Sequence, residues 1–300
     1  MDQYKKSLAE HYTASDFCYN SKYVFMYLGF RRKVEREMDL KALDLFAKEI
    51  IFEAGKRIRD SFSYDLEIET KSSKNDLVTN IDRETESFFV SKIKDYDPSH
   101  RIIGEEGMGE RADSLEGVVW IIDPIDGTMN FVKQHRHFFI SIGIYVDGVG
   151  KLGYIFDVMR EDLFYAIEGV GAWYNESPMR KLQPLAIDEA VIGINASWVT
   201  PNSKVEHEKM IELIRTVRGT RSYGSACMEI AFVVSGKLDA YISMRLAPWD
   251  VGAGLIIAKE VGAIATNLKG HDFNLMGQDT FIIANPSIHR EILKDYIRMK

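Results

Sequence analysis

The stretch VVWIIDPIDGTMNF, residues 118–131, constrains this chain more than any other. Residues 118–122 form a continuous apolar run, which reads as a buried strand. The run stops at Asp123-Pro124-Ile125-Asp126-Gly127-Thr128. Two carboxylates separated by a proline turn at a strand's carboxyl end concentrate negative charge, which is costly unless cations neutralise it. Hard oxygen donors suit Mg²⁺, which takes near-octahedral coordination at about 2.0–2.1 Å and bridges readily to phosphate. Gly127 lets backbone approach a ligand closely, and Thr128 offers a hydroxyl where a helix can begin. Amides at such a start bind phosphate. A lone D-x-x-D-G is more often a plain Asp-rich turn, so the rest of the chain decides.

Three hundred residues suit one large domain or two lobes, and 46% hydrophobic with 28% charged residues marks a folded, water-soluble chain. A formal net charge of −7 argues against a nucleic-acid partner gripped by a broad basic face. It leaves room for a phosphorylated substrate, because bound metal reverses the local sign. Cys18 and Cys227 make neither a disulfide framework nor a metal site, so a reducing cytoplasm is the expected location. No apolar run reaches the roughly 20 residues a membrane span needs, and no membrane partner is expected. Residues 17–30 are rich in aromatics, but Arg31, Arg32 and Lys33 follow them, the wrong order for a signal peptide. Residues 1–37 are therefore read as an extension outside the catalytic fold, with Met38 as an alternative start.

Leu43, Phe46, Ala47, Ile50, Ile51, Ala54 and Ile58 recur at helical spacing and predict a long amphipathic helix. Residues 66–70 alternate as a strand, Lys71 to Asp76 break it, and Thr79 or Asn80 can cap a second helix reaching about residue 95. Asp82 near that start reads equally well as a plain helix cap. Arg101 to Gly107 is a short strand running into Glu105 and Glu106. Sequential strands often pair, which makes Glu105 a natural companion of Asp123, with Glu106 open on spacing alone. Strands are expected over 138–146, 152–158, 163–167 and 172–174, with Asp147-Gly148 a hairpin turn. The G-x-G at Gly169 and Gly171 precedes a strand, so it is not a dinucleotide fingerprint. A composition change near Pro184 divides a lobe over 38–184 from one over 185–300, where strands (191–196, 238–244, 281–284) alternate with helices (205–218, 225–235, 248–261 and beyond Ser287). Pro248 in a first helical turn, followed by Asp250, repeats the first half's device.

Taken together, Asp76-Leu-Val-Thr-Asn-Ile-Asp82, Gly104-Glu105-Glu106, Asp123-Pro-Ile-Asp-Gly-Thr128 and Trp249-Asp250 resemble the inositol monophosphatase family, Mg²⁺-dependent, lithium-sensitive phosphomonoesterases. The likeness runs from about Leu40 to the C-terminus and includes Asn130-Phe131-Val132 and Gly224-Ser225-Ala226. It implies an α/β fold layered as an αβαβα five-layer sandwich of the inositol monophosphatase and fructose-1,6-bisphosphatase type, assembled as a homodimer. It also implies that Glu105, Asp123 and the Ile125 carbonyl bind one Mg²⁺, and that Asp123, Asp126 and Asp250 bind a second. A third, looser ion belongs near Glu105 and Asp76. Thr128, oriented by Asp82, aligns the attacking water, whose ionisation metal favours. Asp126, Gly127, Thr128, Gly224, Ser225 and Ala226 face the substrate. His135 and His137 read as loop residues, Lys71 and Lys74 as a solvated loop, and Glu106 as orienting its neighbours.

The substrate is less well specified. The position where inositol phosphatases of this type place a glutamate against an inositol hydroxyl is Ser243 here. Arg245 brings a cation that suits a second phosphate, or a surface ion pair. The expected substrate is a small phosphorylated polyol or sugar, inositol-1-phosphate first. Broad fructose-1,6-bisphosphatase or NADP phosphatase activity is the alternative, a 3′-phosphoadenosine nucleotide ranks lower, and a non-catalytic regulatory protein lowest.

Overall fold

The computed structural model describes residues 21–63, 68–70, 77–109 and 114–300. The expected apolar stripe lies on helix α1 (Ser21–Ser61), where Leu43, Ala47, Ile50, Ile51, Ala54 and Ile58 are all buried. The chain divides into two compact units, Met1–Lys48 and Glu49–Lys300. In the first, Lys48 and Asp44 pair at 2.9 Å one turn apart on α1.

A two-stranded ribbon, β1 (Ile68–Thr70) and β2 (Leu77–Thr79), leads into α2 (Asn80–Tyr96), whose cap is Thr79, one of the two residues the sequence offers. The buried strand is β4 (Val118–Asp126). It lies between β3 (Arg101–Gly104), parallel to it, and β5 (Phe139–Val146), antiparallel. The sheet continues antiparallel through β6 (Val149–Asp157), β7 (Asp162–Ile167), β8 (Gly171–Tyr174) and β9 (Ser177–Pro178). Strand β4 runs four residues past the expected end at Ile122. Its pairing with β5 shifts register between Asp123 and Asp126, so Pro124 sits in an irregularity that needs no ladder bond from it. Asp147 and Gly148 both have positive φ, 50° and 79°, as a tight hairpin turn of the I′ type requires.

One face of this sheet is covered by the last turns of α1 and by α2. Phe52 meets Phe156 of β6 edge-on at 5.1 Å, and Arg59 Nη1 donates to the Val158 carbonyl at 2.8 Å. The other face carries α6 (Pro248–Val261), packed against α5 (Ala226–Val234). Helix α6 rests on nearly bare backbone: a Cβ on Gly143 of β5 would lie 2.7 Å from the Gly252 carbonyl carbon. Tyr145 Oη donates to the Gly252 carbonyl at 2.8 Å.

Helices α5 and α6 also cover a second, five-stranded sheet. It is built from β10 (Val191–Ile194), β11 (Gly219–Arg221), β12 (Ala240–Leu246), β13 (Ile264–Thr266) and β14 (Asp279–Ala284), in the order β11-β10-β12-β14-β13. Strand alternation separates its two faces. Tyr241, Phe281 and Ile283 join the α5–α6 core. Ile192, Ile194, Ile242 and Ile282 face outward, onto Met210 and Leu213 of α4 (His207–Thr216), Ile288 of α7 (Pro286–Glu291) and a π turn over Ile292–Tyr296. The remaining helix, α3 (Thr128–Gln134), follows β4 directly. The layers therefore run helix, sheet, helix, sheet, helix: the αβαβα sandwich. Among the described residues, no helix is long and apolar enough to cross a membrane.

Candidate active site

The end of β4 and the start of α6 bring Asp123, Asp126 and Asp250 together. One carboxylate oxygen from each lies within 4.8 Å of the others. Asp123 is fully buried, and its Oδ1 accepts the Ile125 N–H at 3.0 Å, the local Asx bond that shapes the turn around Pro124. Asp250, the third residue of α6, accepts the Ala247 N–H at 2.6 Å. Asp126 is held from a hundred residues away. Ser225 Oγ and the Cys227 N–H (2.8 Å) donate to its Oδ2, and the Ala226 N–H donates to Oδ1 at 3.2 Å. The start of α5 thus serves as an anion-binding end, and the anion is a protein carboxylate.

Burial raises the pKa of all three acids, and for Asp123 and Asp250 repulsion from neighbouring carboxylates adds to it. For Asp123 the charges of Glu105, Asp126 and Asp250 reinforce burial. For Asp250 the charge of Asp126 does so, offset in part by the Ala247 amide and Arg245. For Asp126 burial outweighs the Ser225 and Cys227 bonds. Buried, hydrogen-bonded carboxylates that still repel one another are a donor set suited to a hard divalent cation. The sign for stability follows. Their folded pKa values exceed the unfolded ones, so they stabilise the metal-free fold below the unfolded pKa, about 3.9. That contribution is lost as pH rises through the raised values. Metal-free protein is therefore expected to lose melting temperature as pH rises above the unfolded value of about 3.9, and saturating Mg²⁺ should shrink the loss. A thermal-shift series with and without EDTA checks this; equal Mg²⁺ effects at both ends of the pH series would contradict it.

Glu105 follows β3, whose Gly104 pairs with Ile122, one residue short of Asp123. Its charge reaches Asp123 and Asp250, although it stands outside the group of three. What holds its loop is Glu86 of α2, buried, which accepts the Glu106 and Met108 N–H groups, each at 2.7 Å. Gly104 leaves room for it, since a Cβ there would sit 2.4 Å from the Glu86 carboxyl carbon. In the sequence Glu86 stands one turn after Asp82 on one side of the helix, which assigns it no role.

Asp82 does two jobs with two oxygens. Oδ2 accepts from the Thr79 N–H (2.9 Å) and hydroxyl, closing a capping box, while Oδ1 faces the Thr128 hydroxyl at 3.2 Å. Burial, aided by the charges of Glu106 and Glu105, pushes its pKa up to about 6. The Thr128 hydroxyl also lies 3.2 Å from the Ile125 carbonyl. Thr128 is the first residue of α3 rather than its cap; Gly127, at φ 91°, fills that place. A side chain at 127 would press on the His137 carbonyl and Ser225 Cβ, both 3.1 Å from its Cβ.

The other expected residues divide. Ser225 and Ala226 are committed to Asp126, and Gly224 adjoins them at φ 79°. Ser243 is buried and its hydroxyl lies 3.4 Å from both the Arg245 N and O, within an irregularity of β12 between Ser243 and Leu246. Arg245 is the one exposed residue of β12. Cys227 is buried, its thiol pushed well up by burial and by Asp126 and Asp123. His135 ends α3 and stacks near Phe62 at 4.7 Å, while the His137 carbonyl accepts from Asn130, so both serve the loop. Asp76, Lys71 and Lys74 lie outside the described residues.

Comparison with known proteins agrees in sequence and fold. The model of the inositol monophosphatase family matches residues 39–298. Inositol-1-monophosphatase of Bacillus subtilis is 51% identical, over 86% of this chain and 97% of its own length. The crystal structure of 2′-AMP-bound SaIMPase-II matches with a TM-score of 0.79 at 41% identity, covering 85% of this chain and 94% of that one. The same protein bound to inositol monophosphate matches at 0.77 and 39%, over 85% and 93%. An IMPase/NADP phosphatase complexed with Mg²⁺ and phosphate matches at 0.79 and 27%, over 85% and 95%.

Proposed function

The chain belongs to the inositol monophosphatase family, and on that premise we propose that this phosphatase hydrolyses inositol-1-phosphate with Mg²⁺ at the Asp123–Asp126–Asp250 cluster. The observation that carries the reading is the convergence of three buried, backbone-anchored carboxylates within 4.8 Å beside a threonine hydroxyl. Glu105, Asp123 and the Ile125 carbonyl would hold one ion, and Asp123, Asp126 and Asp250 would hold a second. A third ion near Glu105 and Asp76 is part of the same reading. Bound Mg²⁺ lowers the pKa of water and neutralises phosphate oxygens.

The chain's own groups do the positioning. The Gly127 and Thr128 amides receive the phosphate. Asp82 fixes the Thr128 hydroxyl, which orients the attacking water and takes part in its deprotonation. Hydrolysis is direct: the Cys227 thiol is buried, protonated and bonded toward the Asp250 carbonyl at 3.6 Å, a poor nucleophile. Hydrolysis of an isotopically chiral phosphorothioate ester should invert the configuration at phosphorus; retention would mean a phosphoenzyme. The enzyme is proposed to be a lithium-sensitive, cytoplasmic homodimer.

Arg245 favours a second reading, broad specificity toward substrates with a second anionic group. It is the lone exposed side chain of an otherwise buried strand, five residues before Asp250, at an irregularity of the kind that re-aims side chains. Its charge is felt at Asp250. Phosphate release from inositol-1-phosphate, fructose-1,6-bisphosphate, NADP and adenosine 3′,5′-bisphosphate tests both readings. Under the second, Arg245→Gln lowers kcat/KM on the bisphosphate and on NADP about tenfold, the size of one lost charged hydrogen bond, and spares inositol-1-phosphate. An equal loss on all substrates removes that role for Arg245.

A further inference from the structure

The turn over residues 222–225 delivers Ser225 to Asp126, and it has no secondary structure of its own to hold it. The Tyr223 backbone is gripped from both sides. The Tyr223 N–H donates to Glu229 Oε1 at 2.8 Å, and the Tyr223 carbonyl accepts from Asn130 Nδ2 at 2.8 Å. Asn130, on α3, uses the same amide group to hold the His137 carbonyl at 2.9 Å. Gly224, at φ 79°, then turns the chain beside Asn130, and a Cβ there would lie 3.3 Å from Asn130 Oδ1.

Glu229 is an unusual choice for such a brace. It sits in the first turn of α5, only 3% exposed, and its Oε2 has no hydrogen-bond partner among the described residues. That oxygen lies over the bare Cα of Gly193: a Cβ at 193 would stand 2.2 Å from it. Strand alternation explains the fit, because Ile192 and Ile194 face the outer helices and Gly193 faces α5. Burial pushes the Glu229 carboxyl up to about 7, with the charge of Asp126 adding to it. A carboxyl near half-protonation at neutral pH still accepts from an amide, and its uncharged form relieves the cost of the uncompensated oxygen.

We propose that Glu229 is a positioning residue: with Asn130, and over the space left by Gly193, it clamps the Tyr223 backbone and so fixes the turn that anchors Asp126. The inference rests on the proposed phosphatase site for its kinetic consequence, but the clamp itself is testable without activity. The acceptor oxygen matters rather than the charge. Glu229→Gln keeps an acceptor of the same shape and Glu229→Ala removes it.

The test combines kinetics under Mg²⁺ titration with amide hydrogen exchange on full-length, Mg²⁺-loaded protein, after melting curves establish that each variant is folded. Glu229→Ala is expected to raise the Mg²⁺ concentration needed for half-maximal phosphate release about tenfold, the scale of a lost charge-assisted bond, and to raise KM for inositol-1-phosphate with it. Glu229→Gln stays within about threefold of wild type on both. The Tyr223 amide exchanges at least about tenfold faster in Glu229→Ala than in wild type or Glu229→Gln. Gly193→Ala, which evicts the carboxylate without touching the turn, reproduces the Glu229→Ala pattern. Equal Tyr223 protection in wild type and Glu229→Ala overturns the clamp. So does a Glu229→Gln defect as large as that of Glu229→Ala, or a Mg²⁺ requirement that Glu229→Ala leaves unchanged. A wild-type protein inactive on every phosphomonoester overturns the phosphatase reading instead, and the exchange data still decide the clamp.

Discussion

Asp123→Asn should lower Mg²⁺-dependent phosphate release by well over about 100-fold while leaving the protein folded. Losing a partner that merely supports a metal ligand typically costs about 10–100-fold, and Asp123 is the proposed bridge between both ions. The folded state loses little. The buried side chain's one hydrogen bond within the turn comes from the Ile125 N–H, and an asparagine oxygen can accept it as well. What disappears is a charge that Glu105, Asp126 and Asp250 all repel. The metal-free variant should therefore melt at the same temperature as wild type or higher near neutral pH, while Mg²⁺ stabilises it less. Opposite signs for activity and metal-free stability distinguish a ligand from a structural acid. Destabilisation of the metal-free variant together with retained activity would contradict the assignment.

The second large effect belongs to the Asp82–Thr128 pair. Thr128→Ala should lower kcat by about 10²–10⁴, the range for a residue that handles a proton in the transition state, with KM changed little. Thr128→Ser should recover most of it. Asp82→Asn acts through the same hydroxyl, so the double variant should be little worse than Thr128→Ala alone; additive losses would mean the two residues act separately. Asp82 also closes the capping box with Thr79, so its replacement carries a stability cost of about 1 kcal/mol that Thr128→Ala does not share. Comparing the two variants separates the cap from the chemistry. The structure supports both roles, one on each carboxylate oxygen.

Those residues were legible because their signals are local. Asp123, Asp126 and Thr128 share one turn, Asp82 follows a capping threonine, and Asp250 follows a proline in a first helical turn. Local patterns also gave the long helices and the hairpin at Asp147-Gly148. Glu86, Glu229 and Gly193 were not legible, because each has meaning only against a residue far along the chain. Glu86 holds amides 20 and 22 residues away, and Glu229 fits over a strand glycine 36 positions earlier. On a helix, either acid reads as an ordinary solvated side chain. Ser225 and Ala226 are expected at the substrate on sequence grounds; that their donors also hold Asp126 is a contact a hundred residues away that no local pattern announces. The end of β4 was set too early because Pro124 signals a turn, while the register shift lets a proline remain within the strand. Strands β11 and β13, three residues each, are too short to display a period.

The most direct test of the central claim is phosphate release from inositol-1-phosphate by protein stripped with EDTA, dialysed and titrated with Mg²⁺. The expected result is no release without metal and full recovery on adding Mg²⁺, with Asp123→Asn silent throughout. Release that persists in the stripped wild-type protein, or its absence at every Mg²⁺ concentration, would contradict it.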